Sequence, residues 1–220
     1  MIKLENIKKQ ITEKNKKKIL LLDDINWTFN EECNSIAIKG RSGSGKSTFL
    51  KILAGLDNNY TGNYYFKNEM LEKTPNKMSH FRYENIGMIT QSFHLLNDRN
   101  VLGNVLIGFK KKHRNNKKEA SKLLSMVGLD GFEKRKISHL SGGEAQRVAI
   151  ARVLAKKPKI ILADEPTGSL DLETEAIVLN VFKLLMKSGC KFIIVTHDTS
   201  VATICDKQYE IRNKKITEIN

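Results

Sequence analysis

Gly40-Arg41-Ser42-Gly43-Ser44-Gly45-Lys46-Ser47-Thr48 is the stretch that decides the fold, because it fits the pattern G-x-x-x-x-G-K-[ST]. It stands between an apolar strand predicted at Asn34–Lys39 and an amphipathic helix predicted near Lys46–Ala54. Its glycines let backbone N–H groups close around phosphate oxygens, and the helix N-terminus adds the positive end of a dipole. We therefore expect Lys46 to contact the β- and γ-phosphates of a nucleotide and the Ser47 hydroxyl to ligate Mg²⁺.

A second predicted strand, Lys159–Ala163, runs directly into two acids, Asp164 and Glu165. Many strands end in a solvated acid, so this feature alone is a weak signal. Together with a phosphate-binding loop, the two adjacent acids indicate a metal-binding residue and a catalytic residue. Asp164 would hold Mg²⁺, directly or through water, and Glu165 would polarise the attacking water.

The order of predicted elements indicates an α/β fold with a mostly parallel sheet, because strands alternate with helices on both sides of a helical insert. Met1–Asn30 reads as strands with a polar, lysine-rich break at Thr12–Lys18, and Trp27 belongs to the buried face of one of them. Gly62–Leu71 reads as a hairpin, and Gln208–Ile219 as a second one. We divide the single domain into an antiparallel β-subdomain (1–34 and 60–72), a core (35–59, 73–97 and 158–220) and an α-helical subdomain (98–157).

The composition is that of a folded domain. The 220 residues are 40% hydrophobic and 28% charged, and no stretch approaches the roughly 20 apolar residues of a membrane helix. The N-terminus carries an early acid and no long apolar segment, so we expect no signal peptide and a soluble cytoplasmic chain. Cys33, Cys190 and Cys205 are scattered, which favours reduced thiols.

The net charge of +14 is unevenly distributed. Residues 100–157 hold 14 Lys/Arg against 4 Asp/Glu, and residues 1–20 hold 7 against 2. Nucleic acid, an anionic lipid surface or an acidic partner would each fit this excess, and a solvated lysine-rich surface explains it at least as well. The lysine runs Lys16–Lys18 and Lys110–Lys112 lack interleaved aromatic residues for base stacking, so we expect no specific nucleic-acid partner.

The most discriminating stretch is Leu140-Ser141-Gly142-Gly143-Glu144-Ala145-Gln146-Arg147, which resembles the signature motif of ABC ATPases. From the residues alone it is a second glycine-rich turn leading into a helix, and hence a second anion-binding N-terminus. The resemblance implies a head-to-tail dimer with a second ATPase subunit, identical or different. In that dimer, Ser141, Gly142, Gly143 and Glu144 of one subunit would cap the ATP that the phosphate loop of the other holds.

The resemblance covers nearly the whole chain in the order and spacing of the family, and implies roles for further residues. Gln91 matches the glutamine that reaches the metal and senses the transporter. Ser169-Leu170-Asp171 looks like the D-loop at the dimer seam, so Asp171 is expected beside the nucleotide. His197 matches the switch histidine that contacts the γ-phosphate, and with Glu165 forms the implied catalytic pair. The family resemblance therefore implies a P-loop NTPase with a RecA-like core that uses ATP and Mg²⁺.

Within the family, the stretches Leu162–Asp171 and Gln91–Leu96 resemble one branch: lipoprotein-release ATPases, macrolide and peptide exporters, antimicrobial-peptide resistance transporters and the cell-division ATPase. That resemblance implies a peripheral subunit on the cytoplasmic face of the membrane. It would drive a separate transmembrane permease that docks near Gln91–Val105, where Phe93, Leu95, Leu96 and Leu102 offer apolar surface.

The sequence departs from the family pattern at three places. Position 144 is Glu where Gln is commonest, a variant that this branch also uses. Cys33-Asn34 replaces the usual Gly-Glu in the turn before the phosphate loop, and Asn can make such a turn. Ile11 stands where an aromatic residue normally stacks on adenine, so we expect Ile11 to contact the base without offering a π-face.

Three alternatives compete with a transport ATPase. DNA-repair and chromosome ATPases share the signature but insert long coiled coils or zinc modules, whereas only 95 positions separate Lys46 from Ser141. A regulatory partner without catalytic activity usually loses the Glu or the His, and Glu165 and His197 are both present. A P-loop kinase does not account for Leu140–Arg147. An ABC-type ATPase that acts on the cell envelope without transport stays open.

Overall fold

The computed structural model describes residues 1–12, 18–168 and 170–219. The interior of the lysine-rich break and Ser169 of the expected D-loop lie outside the described residues. The strands are β1 (Ile2–Thr12), β2 (Lys18–Phe29), β3 (Ser35–Lys39), β4 (Thr61–Phe66), β5 (Glu69–Met70), β6 (Ile86–Ile89), β7 (Ile160–Asp164), β8 (Lys191–Val195), β9 (Lys207–Arg212) and β10 (Lys215–Glu218). The α-helices are α1 (Lys46–Leu53), α2 (Pro75–Asn85), α3 (Val101–Leu106), α4 (Asn116–Met126), α5 (Gly142–Ala155), α6 (Leu172–Lys187) and α7 (Thr199–Thr203).

Within the described residues the strands form two sheets, and the predicted α/β fold is confirmed. An antiparallel sheet has the order β2-β1-β4-β5. The larger sheet has the order β10-β9-β3-β8-β7-β6, and its strands are parallel except for β10. Because β3, β7 and β8 are neighbours running the same way, their carboxyl ends meet at one edge.

Side-chain alternation along the central strands divides the apolar interior into two clusters. On β7, Ile160 and Leu162 join the cluster shared with the antiparallel sheet and α1, whereas Ile161 and Ala163 face the cluster formed with helices α3 to α6. The larger sheet therefore lies between an antiparallel β layer and a helical layer. Trp27 lies in the first cluster, as its position in the alternating pattern of β2 predicts.

Helix α2 was not predicted from the sequence. Of its eleven residues, Met78, Phe81 and Asn85 are buried, and most of the others are exposed and polar. An apolar stripe this narrow does not produce a clear helical period. Pro75 at the first helical position was the usable signal, because proline lacks the N–H that a helix start leaves unpaired.

The turn before β3 is held by two charged side chains from distant parts of the chain. Asp206 accepts hydrogen bonds from the backbone N–H groups of Asn34 (2.7 Å) and Ser35 (2.9 Å). The buried Lys191 ammonium donates to the Glu31 carbonyl, the Cys33 carbonyl (3.0 Å) and the Asn34 side chain (2.8 Å). These bonds fix the Cys33–Asn34 turn, where the sequence departs from the family pattern, and so fix the entry into the phosphate loop.

Replacing Lys191 by Met should destabilise the protein, because the two carbonyls and the Asn34 side chain lose their buried donor. A lost charged hydrogen bond costs about 2 kcal/mol, and a domain of this size loses roughly 2–4 °C in Tm per kcal/mol. We therefore expect Lys191→Met to lower the Tm by about 4–8 °C in a thermal melt. Lys187→Met, the same change at the exposed end of α6, is the control and should leave the Tm nearly unchanged. Equal melting of the two variants would contradict a structural role for Lys191.

Candidate functional site

The phosphate loop joins β3 to α1 and depends on glycine at two points. Gly40 has φ +150° and Gly45 has φ +100°, which are backbone angles that side-chain-bearing residues rarely adopt. A Cβ on Gly40 would lie 2.7 Å from the carbonyl oxygen of Ile211, so the loop also passes too close to β9 for a side chain. The loop therefore curls back over the start of α1 in the way that a phosphate cradle requires.

The N-terminus of α1 offers its backbone N–H groups to an anion. No side chain caps it, and its first turn carries no acid. By contrast, the side chain of Asp171 caps α6 by accepting from the backbone N–H of Thr174. The Lys46 ammonium bridges the loop, donating to the carbonyls of Gly40 (2.7 Å) and Arg41 (3.0 Å). Positive charge and free N–H donors therefore converge where phosphate oxygens would bind.

A hydroxyl and a carboxylate meet beside this helix end. Ser47 Oγ lies 3.3 Å from Asp164 Oδ1, because β3 and β7 deliver these residues to the same edge of the sheet. Burial raises the pKa of Asp164, opposed by the hydrogen bond from Ser47. Gln91 follows β6 and lines the same cleft. This set of oxygen donors fits a small hard cation that also uses phosphate oxygens.

The described residues contain no cluster of three or more His, Cys, Asp or Glu side chains suited to holding a metal by themselves. Magnesium does not need such a cluster, because it usually keeps several waters and takes one or two carboxylates together with substrate phosphates. The three residues that the sequence suggested as ligands, Ser47, Gln91 and Asp164, therefore remain suitable in chemistry and in position.

Glu165 and His197 form a pair at the mouth of the cleft. Glu165 Oε2 lies 2.9 Å from His197 Nδ1 and also accepts from the His197 backbone N–H at 3.3 Å. This hydrogen bond, with the carboxylate's negative charge, raises the pKa of His197. Glu165 has a left-handed backbone (φ +49°), and its N–H donates to the Val195 carbonyl. Such a conformation in a non-glycine residue is costly, so β8 holds the carboxylate in place at the expense of local strain.

One cleft of about 570 Å³ gathers most of the residues that the sequence singled out. It is lined by Ile11, Leu21, Gly40, Ser42, Gly43, Gly45, Lys46, Ser47, Thr48, Gln91, Asp164, Glu165 and His197. Arg41 and Ser44 belong to the same loop but do not line the cleft. The fold thus brings together in one cleft groups that are far apart in the sequence: the phosphate loop, both acids, the glutamine and the histidine.

The edge of the cleft beside the antiparallel sheet is apolar. Ile11 on β1, with 38% of its surface exposed, and Leu21 on β2 both line it. Leu21 was not singled out from the sequence. The register of β1 against β2, which pairs Ile11 with Ile19, could not be read across the lysine-rich break. The apolar edge of the cleft is therefore formed by two aliphatic side chains, Ile11 and Leu21, and neither of them has an aromatic ring.

The signature stretch lies at the start of α5 and does not line this cleft. Ser141 and Glu144 form a reciprocal capping box: Ser141 Oγ accepts from the Glu144 N–H at 3.2 Å, and Glu144 Oε2 accepts from the Ser141 N–H at 2.7 Å. The Glu at position 144 thus holds the turn in shape. A Cβ on Gly142 would meet nothing within 4 Å, so its backbone faces open space.

Asp171, also expected beside the nucleotide, does not line the cleft either. Its carboxylate caps α6 through the Thr174 N–H (2.9 Å) and hydroxyl (2.8 Å), and the backbone hydrogen bond from Thr174 is the main cause of its lowered pKa. Within one chain, the signature turn and Asp171 therefore lie apart from the phosphate-binding machinery.

An arginine on α5 hydrogen-bonds to the loop that carries Gln91. Arg152 on α5 donates to the carbonyls of Phe93 (2.8 Å) and His94 (2.7 Å), just beyond Gln91. Burial lowers the pKa of this guanidinium from its usual value. The helix that begins with the signature turn is thus bonded directly to the loop that carries Gln91. No pattern in the sequence indicates this contact, because it joins positions about sixty residues apart.

Comparison with curated proteins finds close relatives over the full length. The lipoprotein-releasing system ATP-binding protein LolD of Wigglesworthia glossinidia brevipalpis is 43% identical, over all of this chain and 97% of that protein. The macrolide export ATP-binding/permease protein MacB of Pectobacterium atrosepticum is 38% identical over 98% of this chain, which spans only 34% of that longer protein.

Among solved structures, the ATP-binding cassette MJ0796, captured as a dimer in a post-hydrolysis state with ADP and Pi, superposes with a TM-score of 0.90. It is 33% identical, and the match covers all of this chain and 99% of that one. A family model described as ABC transporter matches residues 22–168. With that match over most of its length, and with the loop, carboxylates and signature turn in place, the chain belongs to the ABC transporter family as one of its ATPase subunits.

Proposed function

We propose that this chain binds ATP with Mg²⁺, closes with a second ATPase subunit in a head-to-tail dimer, and hydrolyses ATP to drive a separate membrane permease. The transporter would export or handle a peptide, lipid or drug, as the names of the LolD and MacB relatives suggest. The observation that carries the proposal is the single cleft, in which the phosphate loop, Asp164, Glu165 and His197 converge.

Phosphate binding is the task of the loop and of Lys46. The uncapped N-terminus of α1 and the loop N–H groups would surround the β- and γ-phosphates. Lys46 would exchange its bonds to the Gly40 and Arg41 carbonyls for phosphate oxygens. Ser47, Asp164 and Gln91 would hold Mg²⁺, which when bound neutralises charge on the phosphate oxygens.

Hydrolysis requires a water oriented in line with the γ-phosphate, and Glu165 is placed to orient it. Its backbone is anchored to Val195, and its carboxylate is already hydrogen-bonded to His197. His197 in turn is largely exposed, so its ring would be able to contact the γ-phosphate while Nδ1 stays bonded to Glu165. In this mechanism Glu165 accepts the proton or hydrogen bond of the water, and His197 fixes the carboxylate and the phosphate together.

The second subunit is needed because this chain keeps its signature turn outside its own cleft. A glycine-rich turn with an outward-facing backbone, on a capped helix start, is suited to bind phosphate presented by another molecule. Two such chains arranged head to tail would each complete the other's cleft, so that two ATP molecules lie between them.

Glu165→Gln should abolish ATP hydrolysis and leave ATP binding largely intact, because the amide cannot accept a proton from water yet keeps the size of the side chain. The variant should accumulate as a dimer in Mg-ATP, which size-exclusion chromatography with light scattering measures. Glu32→Gln, the same change in an exposed turn, is the control and should behave as the wild type. A wild-type rate of phosphate release by Glu165→Gln would refute the role of Glu165.

Contacts of Ile11 and Leu21 with the base should contribute little to the binding free energy of ATP. Base–aromatic stacking is worth about 1–3 kcal/mol, and neither residue supplies it. Ile11→Tyr should therefore tighten ATP binding by up to about tenfold and sharpen the preference for ATP over GTP. Titration of both nucleotides into both proteins measures this. Ile219→Tyr, at an isoleucine with 40% of its surface exposed outside the cleft, is the matched control. If the wild type already discriminates strongly and Ile11→Tyr changes nothing, another residue holds the base.

A groove of about 390 Å³ lies between the core and the helices. We propose that an acidic, amphipathic segment of the permease docks in it. Exposed Leu56, Tyr83 and Ile107 give it apolar surface, and its cations are Arg82, Lys110, Arg152 and Lys156. Of the residues expected to form a docking surface from the sequence, Leu96 is exposed, whereas Leu95 and Leu102 pack partly into the helical core.

Within the described ranges, none of the helices combines the length and apolarity that a bilayer crossing requires.

Leu56→Glu and Ile107→Glu should release the chain from membranes, because each places an acid where an acidic partner segment would lie. The measurement is the share of the chain that sediments with membranes after cell lysis, with ATP binding checked in parallel. Leu184→Glu, at an exposed leucine on α6, is the control. Retention of both groove variants on membranes would argue against docking at this groove.

A further inference from the structure

A basic segment, residues 110–118, leads from the proposed docking groove into the first turn of α4. Six of its nine residues are Lys or Arg, and none is Asp or Glu. Five of these cations are exposed: Lys111, Lys112, Arg114, Lys117 and Lys118. Charged side chains are normally exposed, so the role of the segment depends on its position and on the charges beside it.

The acids next to the basic segment already have cation partners. Glu84 Oε2 accepts a hydrogen bond from Lys110 Nζ at 2.9 Å. Glu119, which directly follows the segment on α4, lies 3.5 Å from Lys157 Nζ. Among the described residues, no ion pair involves any of the five exposed cations. Their positive charge therefore remains available to an anionic partner from outside the chain.

Hydrogen bonds fix the basic segment at the rim of the groove. Tyr83 and Lys110 both line the groove, and the Tyr83 hydroxyl donates to the Lys110 carbonyl at 3.0 Å. Lys110 Nζ also donates to the Glu84 carbonyl at 2.9 Å. Further along, the Asn116 side chain donates to the Lys111 carbonyl at 2.8 Å. The exposed cations are thus presented from an anchored turn beside the groove.

We propose that the basic segment binds anionic phospholipid headgroups of the membrane around the permease. The inference rests on the proposed function, because it takes the groove to lie on the side of the chain that meets the permease and hence the bilayer. Lysine ammonium groups on flexible stems neutralise phosphate as point charges and need no fixed geometry. Clusters of roughly four to eight Lys or Arg residues beside a membrane-spanning element are typical of binding to anionic lipid.

The residue types of the segment favour lipid over nucleic acid as the anion. Residues 110–118 contain no Phe, Tyr or Trp that could stack on a base. Their position beside a docking groove for a membrane protein places the charge where headgroups lie. Attraction to a charged surface fades over about 8 Å at physiological ionic strength, so only cations held close to the bilayer contribute.

Flotation of the full chain with protein-free vesicles tests the inference. Anionic vesicles contain phosphatidylglycerol and phosphatidylcholine in equal parts, and neutral vesicles contain phosphatidylcholine alone. The wild type should float with the anionic vesicles and not with the neutral ones. Binding should fall steeply as salt is added, because the screening length shortens to about 3 Å at 1 M.

A charge-matched pair of triple variants assigns the binding to the segment. The test variant removes three of the exposed cations by Lys111→Gln, Lys112→Gln and Lys117→Gln. The control variant removes three exposed cations elsewhere by Lys183→Gln, Lys187→Gln and Lys214→Gln. Lys110 is kept, because it lines the groove. The test variant should bind anionic vesicles about tenfold more weakly or worse, and the control nearly as tightly as the wild type. Thermal melts should be alike, because all six positions are on the surface.

Three results would each overturn the inference. One is a wild type that does not bind anionic vesicles at low salt. Another is an equal loss of binding in the two triple variants, which would assign the effect to net charge alone. The third is displacement of the chain from anionic vesicles by a DNA duplex at equal phosphate concentration, which would make nucleic acid the preferred partner.

The same proteins separate this inference from the proposed function. The vesicles hold no permease, so their binding does not require the groove to be occupied. ATP hydrolysis is measured in solution without vesicles. A wild type that hydrolyses no ATP would contradict the proposed function, whereas normal hydrolysis with equal vesicle binding by the two triple variants would overturn the lipid contact alone.

Discussion

Parallel hydrogen bonding among β3, β7 and β8 is the constraint on which the site depends. The register sets Ile38 beside Val195 and Ala163 beside Ile194, so the three strands end together. The phosphate loop after β3, Glu165 after β7 and His197 after β8 are therefore brought to one edge of the sheet. The site has little freedom of its own, because strand ends buried on both faces cannot shift without moving every side chain of the two apolar clusters.

The sequence predicted the parts of this arrangement that have a local signature. Three such signatures predict the local backbone from neighbouring residues alone. They are the glycine and lysine spacing of the loop, the acids at the end of β7 and the glycine-rich start of α5. The α/β class was inferred from the alternation of elements, and it is confirmed. Long-range contacts had no such signature. Lys191 reaching the turn before β3, Arg152 reaching the carbonyls beyond Gln91, and Leu21 lining the cleft depend on the folded arrangement of the chain. Helix α2 was missed because its buried face is too narrow.

Three helix starts near the proposed catalytic region are built for different purposes. The start of α1 has no side-chain cap, and its glycine loop leaves N–H groups for an external anion. The starts of α5 and α6 are closed by the side chains of Ser141, Glu144 and Asp171. These residues come from motifs that the family resemblance associates with the nucleotide. In this chain their side chains hold the turns in shape, and the backbone of Gly142 beside them is left facing open space.

The bond from Arg152 to the carbonyls of Phe93 and His94 has a thermodynamic consequence for a pair of such chains. In a head-to-tail pair, the loop bearing Gln91 would serve one nucleotide, whereas the helix bearing Arg152 would serve the other. Any free energy passed through this bond from the first nucleotide to the second must also pass in the reverse direction, because linkage between two binding equilibria is reciprocal. Whatever factor the first nucleotide applies to the affinity for the second, the second then applies to the affinity for the first, so neither could act as a one-way regulator of the other's binding.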